Sequence, residues 1–131
     1  MTPAASVDDD EVSNYIHSDL LTSLQISDHI TTISDGLAAL GYLTEAYKKS
    51  GNNVFFVPDI IFLDINMPMM NGFEFLEHFG KRLSEFSPKP RIYMLTTSLL
   101  QEEMTRAEKY KHLIDGYLEK PLSSEMVMGL L

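Results

Sequence analysis

The sequence predicts an α/β fold: a doubly wound sandwich with a five-stranded parallel sheet and helices on both faces. Two observations carry that expectation. Ile60-Ile61-Phe62-Leu63 is an apolar run with no polar alternation, which is the pattern of a strand buried on both faces in the middle of a parallel sheet. Strand-like and helix-like segments also alternate five times along the chain, and such alternation implies right-handed crossovers between parallel strands. At 131 residues, 44% of them hydrophobic, residues 1–131 form one domain with a single core. No internal repeat, linker or low-complexity segment interrupts them.

Composition narrows the function classes. The chain has no cysteine, so disulfides and thiolate metal sites are excluded and a reducing compartment, the cytoplasm, is expected. No apolar run approaches the ~18 residues of a membrane span, and no basic, apolar leader opens the chain. The net charge of −9 argues against direct nucleic-acid binding, which needs a basic surface.

The elements follow in order. Met1 to Pro3 are expected to be disordered or extraneous. Ala4 to Val7 is a short strand, poor in bulky side chains. The acids Asp8-Asp9-Asp10-Glu11 lead into a helix from about Glu11 to Leu24, where acids complement the positive end of the helix dipole. Its inner face is expected to be Val12, Ile16, Leu20 and Leu24, at i+4 spacing. His29 to Ser34 is β-branched and predicts a strand. Asp35 is a candidate N-cap for a helix over Leu37–Lys49 that buries Leu37, Leu40, Leu43 and Tyr47. Ser50-Gly51-Asn52-Asn53 stops it, and Val54 to Pro58 connects to the central strand ending at Asp64. A turn through Pro68 and Asn71-Gly72 opens a third helix, Gly72 to Leu83, with Phe73, Leu76 and Phe79 inward. Arg91 to Leu95 is a strand followed by Thr96-Thr97-Ser98. Leu100 to Tyr110 predicts a polar, half-covered helix whose charges, Glu102, Glu103, Arg106 and Glu108, read as a solvated face. Gly116 to Glu119 is a short strand broken by Lys120-Pro121, and a short helix, Ser123 to Leu131, ends the sequence. Its shortness suggests a piece of a longer chain. The four histidines, His17, His29, His78 and His112, are scattered and read as surface residues.

Parallel strands deliver their C-terminal residues to one edge, where open α/β sheets bind ligands. The first strand brings Asp8 and Asp9 there, the third Asp64, the fourth Thr96 and the fifth Lys120. Taken singly, each has a plain reading: helix-start acids, a strand hydroxyl bonded to backbone, a solvated lysine. Together they form an acid cluster with one cation. Carboxylates about 4 Å apart repel by roughly 1–4 kcal/mol per pair, and all-oxygen donors without His or Cys favour Mg²⁺. A carboxylate beside a divalent ion, an ammonium and a hydroxyl is set up to attack a phosphoryl group.

These residues carry a resemblance. Val7-Asp8-Asp9, Asp64-Ile65-Asn66-Met67-Pro68-Met69-Met70-Asn71-Gly72, Leu95-Thr96 and Tyr117-Leu118-Glu119-Lys120-Pro121 stand in the order and at the separations of a response regulator receiver domain, the chemotaxis-type module of two-component signalling. The resemblance implies a flavodoxin-like sheet of strand order 2-1-3-4-5. It implies Asp64 as phosphoacceptor, with Lys120 and Thr96 on the phosphoryl oxygens. Mg²⁺ would be held by Asp9, Asp64 and the main-chain carbonyl of Asn66, with Asp8 acting through water. Thr96 and Tyr117 would be the switch pair, although Tyr117 also reads as simple packing. The donor would be a histidine kinase or histidine phosphotransfer protein, and output would be by contact with a downstream protein, from a monomer or weak homodimer. Five features depart from the family pattern: Thr97 stands where a small residue is usual and is expected to narrow access to Asp64, Asn71 replaces Asp, Glu11 replaces a common Pro, the first strand is weaker than the usual aliphatic run, and the last helix is short. A receiver impaired in phosphotransfer, serving as an interaction scaffold, is the first alternative. An aspartyl phosphatase is disfavoured because Asn66 occupies the place of its second Asp, and a flavin or nucleotide carrier because no glycine-rich loop follows the first strand. No metabolite turnover is expected.

Overall fold

The computed structural model describes residues 3–27, 29–48, 57–97 and 101–130. Among them the elements run β1 (Ala4–Val7), α1 (Glu11–Ser23), β2 (Ile30–Ile33), α2 (Gly36–Lys48), β3 (Ile60–Asp64), α3 (Gly72–Lys81), a 3₁₀ turn (Leu83–Glu85), β4 (Arg91–Thr96), α4 (Gln101–Glu108), β5 (Gly116–Glu119) and α5 (Ser124–Met128). The strands pair in parallel in the order β2-β1-β3-β4-β5, as expected. The stop at Ser50–Asn53, residues 54–56 of the connector, and the ends of the fourth and fifth helices at Leu100 and Leu131 lie outside the described residues.

β3 is central, and all five of its residues are buried. Its side chains alternate between two cores, one on each face of the sheet, where the sequence suggested a single one. Ile61 and Leu63 join Ala5, Val7, Ile92 and Met94 beneath α2 and α3, where Leu40, Leu43, Phe73, Phe75, Leu76 and Phe79 pack. Ile60 and Phe62 face the other way, with Ala4, Tyr93 and Leu95, against Leu21 of α1 and Val127 of α5. The weak-looking β1 is also fully buried, because it pairs on both sides, with β2 and β3.

The α1 expectation holds in half: Leu20 and Leu24 are partly buried against the core, but the first half of the predicted face is corrected. Val12 and Ile16 are exposed, at 64% and 46%, and the buried residues are Asn14, His17 and Leu21. The reason lies in β1. Ser6 is small, polar and fully buried, so the helix turns polar side chains toward it: Ser6 Oγ donates to Asn14 Oδ1 at 2.9 Å, and His17 Nδ1 lies 3.5 Å from the same hydroxyl. Asn14 Nδ2 then donates to the Asp8 carbonyl at 2.9 Å. His17 is therefore a core residue, not a surface one, whereas His29, His78 and His112 are exposed. In α2 the outward residue is Leu37, 58% exposed, and Ala39 and Ala46 are buried beside Leu40 and Leu43. Asp35 caps this helix as expected, its carboxylate accepting from Ala38 N at 2.7 Å.

Candidate functional site

The C-terminal edge of the sheet carries the chemistry. Backbone bonds prolong the ladders one step past the strands: Asp8 N donates to Ile33 O at 2.9 Å, Ile65 N to Leu95 O at 3.1 Å, and Lys120 N to Thr96 O at 2.6 Å. These bonds fix the residues that leave the sheet. Asp8 is 1% and Asp64 5% exposed, whereas Asp9 is exposed. One carboxylate oxygen from each of the three lies within 4.8 Å of the others.

Lys120 joins the cluster. Its ammonium donates to Asp8 Oδ2 and lies 3.2 Å from Asp64 Oδ1. Asp8 Oδ1 also accepts from Asp10 N at 3.0 Å, so Asp8 is held at both oxygens. Among the described residues the charges do not balance: one ammonium faces three carboxylates. Burial, then the charge of Asp8, pushes the Asp64 carboxyl up to about 6, against the opposing pull of Lys120. For Lys120, burial works against the charged form, but the hydrogen bond to Asp8 and the charges of Asp64 and Asp8 outweigh it, and its pKa is raised. Burial holds His17 low, with Asp8 opposing and Lys120 reinforcing.

The turn after Asp64 is closed on itself. Gly72 N donates to Ile65 O at 2.8 Å, and Met70 N to Pro68 O at 2.7 Å. Asn71 and Glu74 form a reciprocal capping box at 2.9 and 3.0 Å that starts α3. A Cβ on Gly72 would stand 2.7 Å from the Asp64 carbonyl oxygen, so glycine is required for the chain to return this close. Met69, 89% exposed, takes a left-handed φ of 66°, an uncommon conformation for a residue with a side chain. Asn66 sits in this turn, exposed.

Thr96, at the end of β4, is fully buried. Its hydroxyl donates to Glu103 Oε1 at 2.8 Å, and the Tyr117 hydroxyl donates to the same oxygen at 3.0 Å. Burial and then the Glu103 carboxylate push the Tyr117 phenol well above its ordinary value. The expectation that Glu103 belongs to a solvated face is corrected: it is half-buried and ties α4 to β4 and β5. The signal was present in its spacing, since Glu103 shares a helical stripe with Ala107 and Tyr110, which pack against the core. Thr97 is exposed at the rim.

The structure thus brings Asp8, Asp9, Asp64 and Lys120 into one cluster and places Thr96 and Tyr117 on a shared partner. Comparison with known proteins gives the family. The family profile described as the response regulator receiver domain matches residues 5–131. This chain belongs to that family. The receiver is 30% identical over 128 residues to two-component response regulator 24 of Arabidopsis thaliana, covering 98% of this chain and 80% of that one. It superposes on a two-component response regulator from Cytophaga hutchinsonii with a TM-score of 0.83 at 28% identity, covering 98% and 92% of the two chains. With the chemotaxis protein CheY4 of Vibrio cholerae the TM-score is 0.74 at 28% identity, covering 99% and 95%. Receivers are modules of two-component signalling rather than metabolic enzymes. Among the described residues of this one, no helix is long and apolar enough to cross a membrane.

The acid cluster also fits a divalent cation. Its donors are all carboxylate oxygens within reach of one ion, and the surplus negative charge around Asp64 is what such an ion relieves.

Proposed function

We propose that the receiver accepts a phosphoryl group from a phosphohistidine onto Asp64. The observation that carries this reading is the position of Asp64: nearly buried, 3.2 Å from the Lys120 ammonium and within one acid cluster with Asp8 and Asp9. Asp8 is held at both oxygens, by Lys120 and the Asp10 amide, whereas the Asp64 contact with Lys120 is at Oδ1, and the family resemblance puts Asp64 at the phosphoacceptor position. One Asp64 oxygen forms the P–O bond while the P–N bond of the donor breaks. The imidazole nitrogen leaves with the electron pair and takes up a proton. Lys120 and Thr96 then pair with the equatorial oxygens of the transferred group. Asp9, Asp64 and the Asn66 carbonyl would hold Mg²⁺, with Asp8 acting through water, and the ion would supply charge neutralisation for the transferred group.

The donor is a histidine kinase or histidine phosphotransfer protein of the cytoplasm. The net charge of −9 fits output by protein contact rather than nucleic-acid binding, from a monomer or weak homodimer. Incubation with a small phosphodonor and Mg²⁺ is expected to add one phosphoryl group at Asp64, read by peptide mass spectrometry, and beryllofluoride is expected to bind there. Full labelling of an Asp64→Asn variant, or no labelling and no beryllofluoride binding by the native chain, would overturn the assignment.

A further inference from the structure

We propose that Glu103 is the positioning residue that holds the receiver in its unphosphorylated arrangement, by engaging the one hydrogen that the Thr96 hydroxyl can donate. This inference rests on the phosphoacceptor role of Asp64. A hydroxyl has a single hydrogen. In the structure the fully buried Thr96 hydroxyl donates to Glu103 Oε1, 2.8 Å away, and also lies within hydrogen-bonding reach of the Tyr117 hydroxyl. The Tyr117 hydroxyl directs its own hydrogen at the same oxygen, 3.0 Å away. Two donors on one carboxylate oxygen make a charge-assisted pair, stronger than neutral hydrogen bonds.

A phosphoryl group on Asp64 needs the Thr96 hydrogen for one of its oxygens. Thr96 cannot serve both anions, so accepting the phosphoryl group means releasing Glu103. That release removes the tie between α4 and the end of β4. Tyr117 keeps Glu103 as its acceptor, so the phenol and the carboxylate move as a unit with α4. Glu103 therefore competes with the phosphoryl group, and its removal favours the phosphorylated arrangement at no contact with Asp64 itself. Ordinary anchoring of α4 is the simpler account, and the two differ in what a variant does. An anchor lost would loosen the helix without strengthening anything at Asp64. A competitor lost would tighten binding there, and only while Thr96 has its hydroxyl.

The test is calorimetric titration of the full chain with beryllofluoride in Mg²⁺, as native protein and as Glu103→Ala, Glu103→Gln, Thr96→Ala and the Thr96→Ala/Glu103→Ala double variant. Glu103→Ala is expected to bind about tenfold more tightly than the native chain, equivalent to about 1.4 kcal/mol. Glu103→Gln, whose amide oxygen still accepts, should gain less. The double variant should match Thr96→Ala. Equal or weaker binding by Glu103→Ala, or a gain that persists without the Thr96 hydroxyl, overturns the inference while leaving the role of Asp64 standing. Should Glu103→Ala fail to fold, Glu103→Gln with affinity equal to native overturns it. Absence of binding by the native chain removes the phosphoacceptor assignment and this inference together.

Discussion

At the scale of the residue, Asp64 sets a measurable pH dependence. Burial and Asp8 raise its folded value to about 6, above the ~3.9 of an unfolded aspartate. Between those values the folded chain binds more protons than the unfolded one, so this group's contribution to stability falls as pH rises from about 4 to about 6. At about 1.4 kcal/mol per pH unit of displacement, the metal-free protein at pH 7.5 carries a destabilisation of about 3 kcal/mol. Asp64→Asn is expected to be more stable than the native chain by that order at pH 7.5, with the gap closing by pH 4 in urea titrations. His17 acts in the opposite sense. Its value is held below the ordinary 6.5 by burial, so protonation of the unfolded chain below that pH favours unfolding. Both proteins share that effect, and it drops out of their difference. The same buried network gives a second expectation. Asn14 links the Ser6 hydroxyl to the Asp8 carbonyl, and Asn14→Ala strands both, which should cost about 1–3 kcal/mol in the same titration.

At the scale of the element, legibility followed the apolar pattern and failed where polar groups are buried. β3 was visible because Ile60 to Leu63 face apolar neighbours on both sides. The residues at the strand ends were visible because parallel topology collects them at one edge. The face of α1 was not, since Val12 and Ile16 offered better helical spacing than Asn14 and His17. Only the partner strand, with Ser6 buried in its middle, decides between them. Glu103 was only half legible for a related reason: its stripe with Ala107 and Tyr110 points it inward, but its role shows only when its donors, Thr96 and Tyr117, are seen across two strands. The turn over residues 65–72 shows what spacing does predict. Its glycine is a contact requirement, with a Cβ at Gly72 falling 2.7 Å from the Asp64 carbonyl oxygen and 3.0 Å from Ile65 Cα. Both are backbone atoms and cannot rotate away. Gly72→Ala should therefore displace the turn and cost about 1–3 kcal/mol, and it should weaken beryllofluoride binding by moving Asn66 relative to Asp64. Native affinity in that variant would show that the turn adjusts without disturbing the site.

At the scale of the whole molecule, the sheet gathers its unbalanced charge at one edge while two apolar cores stabilise the rest. Lys120 offsets one carboxylate, and a divalent cation would offset two more, so metal and stability are linked. A ligand at 100 times its dissociation constant adds about 2.7 kcal/mol, which for a domain of this size corresponds to a rise of about 5–10 °C in Tm. Mg²⁺ is expected to produce a rise of that order at pH 7.5, read by thermal unfolding. At pH 5 the rise should shrink, because Asp64 is then largely protonated and the ion must displace the proton. Asp9→Asn should lose most of the rise at both pH values, since it removes a ligand without touching the Lys120 pair. An equal rise in native and Asp9→Asn chains would place the ion elsewhere on the acidic surface. A rise independent of pH would mean that Asp64 is not among its ligands, and the charge imbalance at the sheet edge would then have to be relieved by the phosphoryl chemistry of a partner rather than by a resident cation.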